Sequence, residues 1–408
     1  MSVQTELQRI IQAKADIVTS IENKGVTVPS GTTIDNLDDY VDQIQQGGGG
    51  GEEWTANECF WIQSSSPSNS DEIMIRHYYD TSSTNTNPYN IWYQLTDVNE
   101  EPNDNNWIKM TSISFKTNGK KVWLYGENLQ GFNYVVGETA THNYHTIGID
   151  FKVNGLFGSS TINYTAGGHI MSLISKTKLA GMPVNAFTDF FLGNKITDAS
   201  NIILPNFTSD YCYYQMFKNC TVLTTPPILP ATTLCQHCYD KMFYGCTALT
   251  TAPALPATTM VNNCYQGMFY GCTALTTAPV LPATTLATAC YYQMFYGCSS
   301  LTTAPELPAT TLTNNCYRDM FQSCTTLTVA PELPATTLVS YCYNKMFNGC
   351  TNLNYVKCLA TDISASACTT SWLNAVAATG TFIKDASMSS WTTGTAGIPS
   401  GWTVQDAA

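Results

Sequence analysis

The stretch CYDKMFYGCTALTTAPALPATTMVNN, residues 238–263, decides the reading, because the chain repeats it in register. The first cysteine recurs at Cys212, Cys238, Cys264, Cys290, Cys316 and Cys342, and the second at Cys220, Cys246, Cys272, Cys298, Cys324 and Cys350. The period is 26 residues and never slips between Cys212 and Leu353. A strict period in the twenties marks a solenoid, in which each unit buries its apolar face against the next. Within one unit, Cys-Tyr-x-x-Met-Phe places apolar side chains at i, i+4 and i+5, which predicts one face of a short helix. Gly245, Gly271, Gly297 and Gly349, with Asn219 and Ser323 in other copies, fall where that helix ends and suit a left-handed turn. Leu-Thr-Thr-Ala-Pro is β-prone, and Pro-x-Leu-Pro forces an extended crossing. One strand, one turn and one short helix per unit is the leucine-rich-repeat kind of coil.

Phe-Tyr-Gly-Cys-Thr-Ala-Leu followed by Leu-Pro-Ala-Thr-Thr-Leu resembles the BspA-like leucine-rich repeats of gut bacteria and of the bacteriophages that infect them. The resemblance covers about half the chain. It implies a right-handed, curved solenoid with an adhesion or display role, and it names no ligand.

The twelve repeat cysteines are open to three readings: disulfides, metal ligands or buried thiols. Both recur in step with Met, Phe and Leu, so ladders of reduced thiols in the core are the expectation. Disulfide frameworks are usually irregular, and zinc spacing is absent. Cys59, Cys235, Cys358 and Cys368 show no pairing logic, except that Cys368 lies one period past Cys342.

Comparison of copies separates core slots from variable ones. Three variable slots per unit are expected to form an exposed stripe, either a plain solvated face or a ligand surface suited to glycan or protein. Its candidates are Tyr214, Asp240, Lys241, Tyr244, Gln266, Tyr270, Tyr292, Tyr296, Arg318, Asp319, Asn344 and Lys345. The triplets before each first cysteine, such as Gln236-His237, also vary. The threonine rows (Thr224, Thr250, Thr276, Thr302, Thr328) are the other polar surface.

The chain has 408 residues, only 12% charged, and a net charge of −12, with no basic stripe for nucleic acid. No apolar run approaches the roughly 20 residues that span a bilayer. The N-terminus, with Glu6 and Asp16, does not read as a signal peptide. That expectation favours a phage structural protein, made in the host cytoplasm and released by lysis, over an exported bacterial adhesin.

Upstream, residues 1–46 predict a helical hairpin. Val3, Leu7, Ile10, Ile17 and Ile21 form a short heptad stripe, and Leu37, Val41 and Ile44 line a second face. So small a hairpin needs its own copies or another protein to pack against. Leu7 to Ile17, Lys24 to Pro29 and Tyr40 to Ile44 resemble N-terminal modules of gut-phage tail and fibre proteins. That resemblance implies attachment to other virion proteins and homo-oligomerisation, with a trimer favoured. Gly47 to Gly51 form a flexible linker.

Residues 52–172 are β-rich, with strands expected at Glu72 to His77, Asn90 to Leu95, Lys121 to Tyr125, Ile147 to Val153 and Thr161 to Thr165. A small β-sandwich is the expectation. Val122 to Asn128, Phe151 to Gly155 and Gly167 to Ile174 resemble the domain preceding such repeats in gut-phage and Bacteroides proteins. Trp54, Trp92, Trp107 and Trp123 are read as core or cross-strand residues rather than a sugar platform. The solenoid is placed at 173–353, with Phe190 to Asn194 as a worn first coil. The C-terminal cap is placed at 354–408, with a closing helix near Cys368 and final strands at Gly380 and Ile398.

The whole is therefore expected to be multidomain: an N-terminal α-helical hairpin, a β-sandwich domain and an α/β leucine-rich-repeat solenoid with a C-terminal cap. No phosphate loop, nucleophile elbow, His-Glu-x-x-His or carboxylate pair in a cleft is present. His142-x-x-His145 supplies only two ligands. No catalytic residue, metal or other cofactor is assigned. The expected function is a virion fibre or decoration protein, on head or tail, that displays the repeats for host attachment. The alternatives are a bacterial cell-surface adhesin and a virion decoration protein with no ligand.

Overall fold

A computed structural model describes residues 53–68, 71–77, 90–112, 114–128, 147–152, 162–175, 177–389, 391–394 and 397–407. The predicted hairpin of residues 1–46, with its stripe residues Val3, Leu7, Ile10, Ile17, Ile21, Leu37, Val41 and Ile44, lies outside them, as do the glycine linker, His142 and His145.

The helical part of the expected fold class is overturned. Among the described residues there is no α-helix, only two 3-10 turns at Ala56–Glu58 and Ile170–Leu173. The segment that reads as a helix in each repeat is a ribbon of consecutive turns. Its signature is a left-handed residue at every fourth position: Tyr211, Gln215 and Asn219, then His237, Lys241 and Gly245, then Asn263, Gly267 and Gly271, and so on to Ala367, Ser371 and Ala375. The first such ribbon starts at Asn185.

Backbone N–H groups alternate in destination. Those of Cys212, Tyr214, Met216, Lys218 and Cys220 bond three residues back, to Ser209, Tyr211, Tyr213, Gln215 and Phe217. Those of Tyr213, Gln215, Phe217 and Asn219 cross to the carbonyls of Cys238, Asp240, Met242 and Tyr244 in the next coil. Both sets of buried donors are thereby satisfied without a helix. A four-residue turn repeat also dictates two side chains in and two out: Cys212 and Tyr213 in, Tyr214 and Gln215 out, Met216 and Phe217 in, Lys218 and Asn219 out, Cys220 in.

The inward residues stack coil on coil. Tyr213, Tyr239, Tyr265, Tyr291, Tyr317 and Tyr343 are all buried, with successive centroids 5.5–6.2 Å apart. Phe191 and the repeat phenylalanines Phe217, Phe243, Phe269, Phe295, Phe321 and Phe347 form a second stack. The second cysteine of each coil donates its thiol to the phenylalanine carbonyl of the preceding coil, as in Cys246 to Phe217 at 3.0 Å and Cys298 to Phe269 at 3.1 Å. All sixteen cysteines are free thiols. Burial pushes Cys212 and Cys272 up to about 12 and raises Cys246 and Cys298 well above the ordinary thiol value.

The opposite side of each coil pairs in parallel only at single positions, such as Thr251 with Thr277 and Thr277 with Thr303. Proline in every crossing removes donors that a longer ladder needs.

The β-rich part forms two sheets. Strands β1 (Phe60–Ser64), β2 (Glu72–His77), β3 (Ile91–Thr96), β4 (Ile108–Lys109), β5 (Ser114–Lys116), β6 (Lys121–Gly126), β7 (Ile147–Lys152), β8 (Tyr164–His169) and β9 (Ile196–Ile203) are ordered β4-β3-β6-β1-β8-β9 and β5-β2-β7. Tyr93 of β3 and Phe115 of β5 stack across them at 4.0 Å. Strand β9 pairs in parallel with β8, and its Asp198 bridges to Thr225 of the first full coil. The six-stranded sheet thus runs into the solenoid and closes its first coil.

At the far end, the expected closing helix is another turn ribbon, whose Trp372 lies on Tyr343 at 6.3 Å and on Trp391 at 5.5 Å. Strands β10 (Tyr355–Cys358), β11 (Gly380–Lys384) and β12 (Trp402–Asp406) form a parallel sheet over it.

Candidate functional site

The outward positions of the turn ribbons form one edge of the solenoid. Since each coil lies in register on the last, equivalent side chains fall into rows. One row runs Lys218, Tyr244, Tyr270, Tyr296. The three tyrosines lie face to face, each pair 4.4 Å apart and within 8° of parallel, and Lys218 Nζ sits 5.4 Å from the Tyr244 ring. Partial burial, then the two flanking phenols, push Tyr270 up to about 12. The ring faces are therefore taken up by one another, and the row offers its edges and hydroxyls.

A second group gathers around the left-handed residues. Lys241 Nζ lies 5.4 Å from the Tyr214 ring and 3.2 Å from Asp240. Arg318 lies over Tyr292 at 5.4 Å and Tyr341 at 5.3 Å, with its Nε 3.7 Å from Asp319. Burial raises the phenols of Tyr214 and Tyr292 and the carboxyl of Asp319.

Three stripe candidates are not exposed. Asp240, Asp319 and Asn344 are buried, because each turns back onto the ribbon. Asp240 meets His237 Nδ1 at 2.7 Å, Asp319 accepts from Gln293 Nε2 at 3.4 Å, and Asn344 donates to the Ala367 carbonyl at 3.3 Å. Tyr214, Lys241, Tyr244, Gln266, Tyr270, Tyr292, Tyr296 and Arg318 are half-buried, and Lys345 is exposed. The edge also includes residues absent from the predicted stripe: Tyr211, His237 and Tyr341. Tyr211 stacks on His237 at 4.4 Å, and His237 Nε2 lies 3.0 Å from Asn263 Nδ2. The variable triplets before each first cysteine carried that signal.

Chemically, this edge offers phenol hydroxyls, amides and cations held against aromatic rings, which suits a polar partner. Among the described residues no group of three or more His, Cys, Asp or Glu stands ready for a metal, and no helix is long and apolar enough to cross a membrane.

In-register side-chain rows on a parallel repeat with closed ends define a solenoid of the interaction-repeat class. Residues 190–302 and 284–388 match the family described as BspA type Leucine rich repeat region, in six copies. The repeat region is thus of the BspA type, a repeat family of protein interaction, which suggests a surface or adhesion kind of protein. No curated protein and no solved structure matches the chain.

Proposed function

We propose that the protein is a bacteriophage virion fibre or decoration protein that holds the solenoid edge against a host-cell surface. The observation that carries the binding part is the contrast between slots. Inward positions hardly vary from coil to coil, whereas the variable side chains, apart from the exposed crossing slot of Ile228, Ala254, Val280, Glu306 and Glu332, lie together, in register, on one edge. The resemblance of residues 1–46 and of the β-rich part to gut-phage modules supports the virion part. In this reading residues 1–46 join the protein to other virion proteins and to its own copies, as a trimer. Weak contacts then add through avidity. The partner is a surface glycan or protein.

Fluorescent full-length protein, wild type and with Tyr244, Tyr270 and Tyr296 all changed to Ser, tests binding on a panel of gut bacteria. Loss of binding in the variant at unchanged fold supports the edge. Equal binding moves the contact elsewhere. No binding to any strain leaves a decoration role without a ligand. Antibody labelling of purified particles tests the location: label on the bacterial envelope and none on particles points to the adhesin alternative, which the repeat type also accommodates.

A further inference from the structure

The β-rich part holds a cavity of about 280 Å³, separate from the solenoid edge. Trp54, Trp107 and Tyr125 contribute aromatic walls, Glu53 and Asp104 contribute carboxylates, and among the described residues no lysine or arginine lines it. The walls are braced from behind. Tyr125 lies flat on Trp92 at 5.0 Å and 0°, Trp107 meets Tyr125 edge-on at 4.7 Å, and Trp54 stacks on His169 at 4.5 Å. The Ala56 N–H donates to Asp104 Oδ1 at 2.8 Å, which fixes that carboxylate.

The surrounding tryptophans already receive ammonium groups from within the chain. Lys178 Nζ lies 5.2 Å from the Trp54 ring, Lys109 Nζ 5.2 Å from Trp92, and Lys121 Nζ 4.0 Å from Trp123 and 4.3 Å from Trp61. Trp107 receives none among the described residues, and it lines the cavity with Asp104. The negative face of an aromatic ring and a carboxylate both attract a cation. A neutral sugar gains nothing from the charge, and an anion is repelled. The volume, at the small end for ligand sites, suits a compact head group.

We propose that this cavity binds a small organic ammonium group, with Trp107 and Tyr125 as its aromatic wall and Asp104 as its counter-charge. The site is independent of the solenoid edge and of any virion role. Calorimetric titration of the full-length protein with choline tests it, beside 3,3-dimethylbutan-1-ol, which has the same shape without the charge. Choline binds, and the neutral analogue binds at least about tenfold more weakly. Trp107→Ala and Asp104→Asn each weaken choline by about fivefold, as expected for one cation–π or one rim ion-pair contact. Val280→Ser, at an exposed position of a solenoid crossing, leaves choline binding unchanged and serves as the folded control. Matching circular dichroism and melting curves establish that the cavity variants fold. Equal affinity for the neutral analogue, undiminished binding in both folded cavity variants, or no heat at millimolar choline overturns the proposal.

Discussion

Replacing Gly271 by Ala tests the turn ribbon by the sign of its effect. Gly271 has φ +68°, and a Cβ placed there meets only the Gly245 Cα, at an ordinary 3.9 Å. Space is therefore not at issue, and the left-handed backbone is. Holding an L-residue in that region costs about 1–2 kcal/mol. The loss of unfolded-state freedom on going from Gly to Ala returns about 0.4–1 kcal/mol. The net expectation is a destabilisation of about 0.5–1.5 kcal/mol. A helix running through Gly271, rather than ending there, reverses the sign, since Gly to Ala inside a helix gains about 1 kcal/mol. Ser323, at the same slot with φ +63°, supplies the converse. Ser323→Gly relieves the left-handed cost and gains about 0.5 kcal/mol in a ribbon, whereas in a helix it loses a similar amount. Urea unfolding read by far-ultraviolet circular dichroism and by tryptophan fluorescence measures both. A raised midpoint for Gly271→Ala together with a lowered one for Ser323→Gly would refute the ribbon argument.

Phe269→Ala removes a buried ring stacked at 5.8 Å and 5.7 Å on its neighbours, and about 3–5 kcal/mol of stability should go with it in the same unfolding assay. Tyr239 is fully buried and its hydroxyl has no hydrogen-bond partner, so Tyr239→Phe should be neutral or stabilising by up to about 1 kcal/mol; a clear loss would reveal a partner for that hydroxyl. Burial raises Asp189 to about 6, so its charged form is disfavoured in the fold. The stability it permits is full below its unfolded value near 3.8 and falls as pH rises through 6, so Asp189→Asn should stabilise by about 1–2 kcal/mol at pH 7 and lose that advantage below pH 4. The buried thiols behave likewise at higher pH. Raised from 9 to about 12 at Cys212 and Cys272, they favour the fold below pH 9 and cease to as pH climbs toward 12, so a melting temperature that does not fall over that window would contradict their burial as thiols.

Much of this architecture was legible in the residues. The 26-residue period placed every coil, and the apolar slots at Cys, Tyr, Met, Phe and Leu are the core. The left-handed slot at Gly245, Gly271, Gly297 and Gly349 was also readable, although it closes a turn rather than a helix. Strand β2 lies at Glu72–His77 as the alternation and turn signals predict, and β6 begins at Lys121. The helix reading failed for a definite reason. Cys212, Tyr213, Met216, Phe217 and Cys220 recur at a period of four, and over so short a run this differs from a helical period by only about 80°, inside the width of an ordinary apolar stripe. Glycine and asparagine mark only some left-handed residues, so Tyr211 and Lys241 gave no warning. The burial of Asp319 follows from its contact with Gln293 one coil away, which one copy of the repeat cannot reveal, while Asp240 turns in toward His237, three residues before it. The parallel joining of β9 to β8 depends on contacts about 30 residues apart, with bulges that no local pattern announces.

Registered stacking also makes the reach of this protein a quantised property. Each coil meets its neighbours through the same contacts one period away, so whole units can be gained or lost between Cys238 and Cys342 with both closed ends intact. Every such event moves the far cap by about one interstrand spacing, roughly 4.8 Å. It also lengthens or shortens each outward row by one side chain. Recombination between near-identical units thus alters length and valency together, in fixed steps, and a lineage can retune its contact surface without designing a new fold.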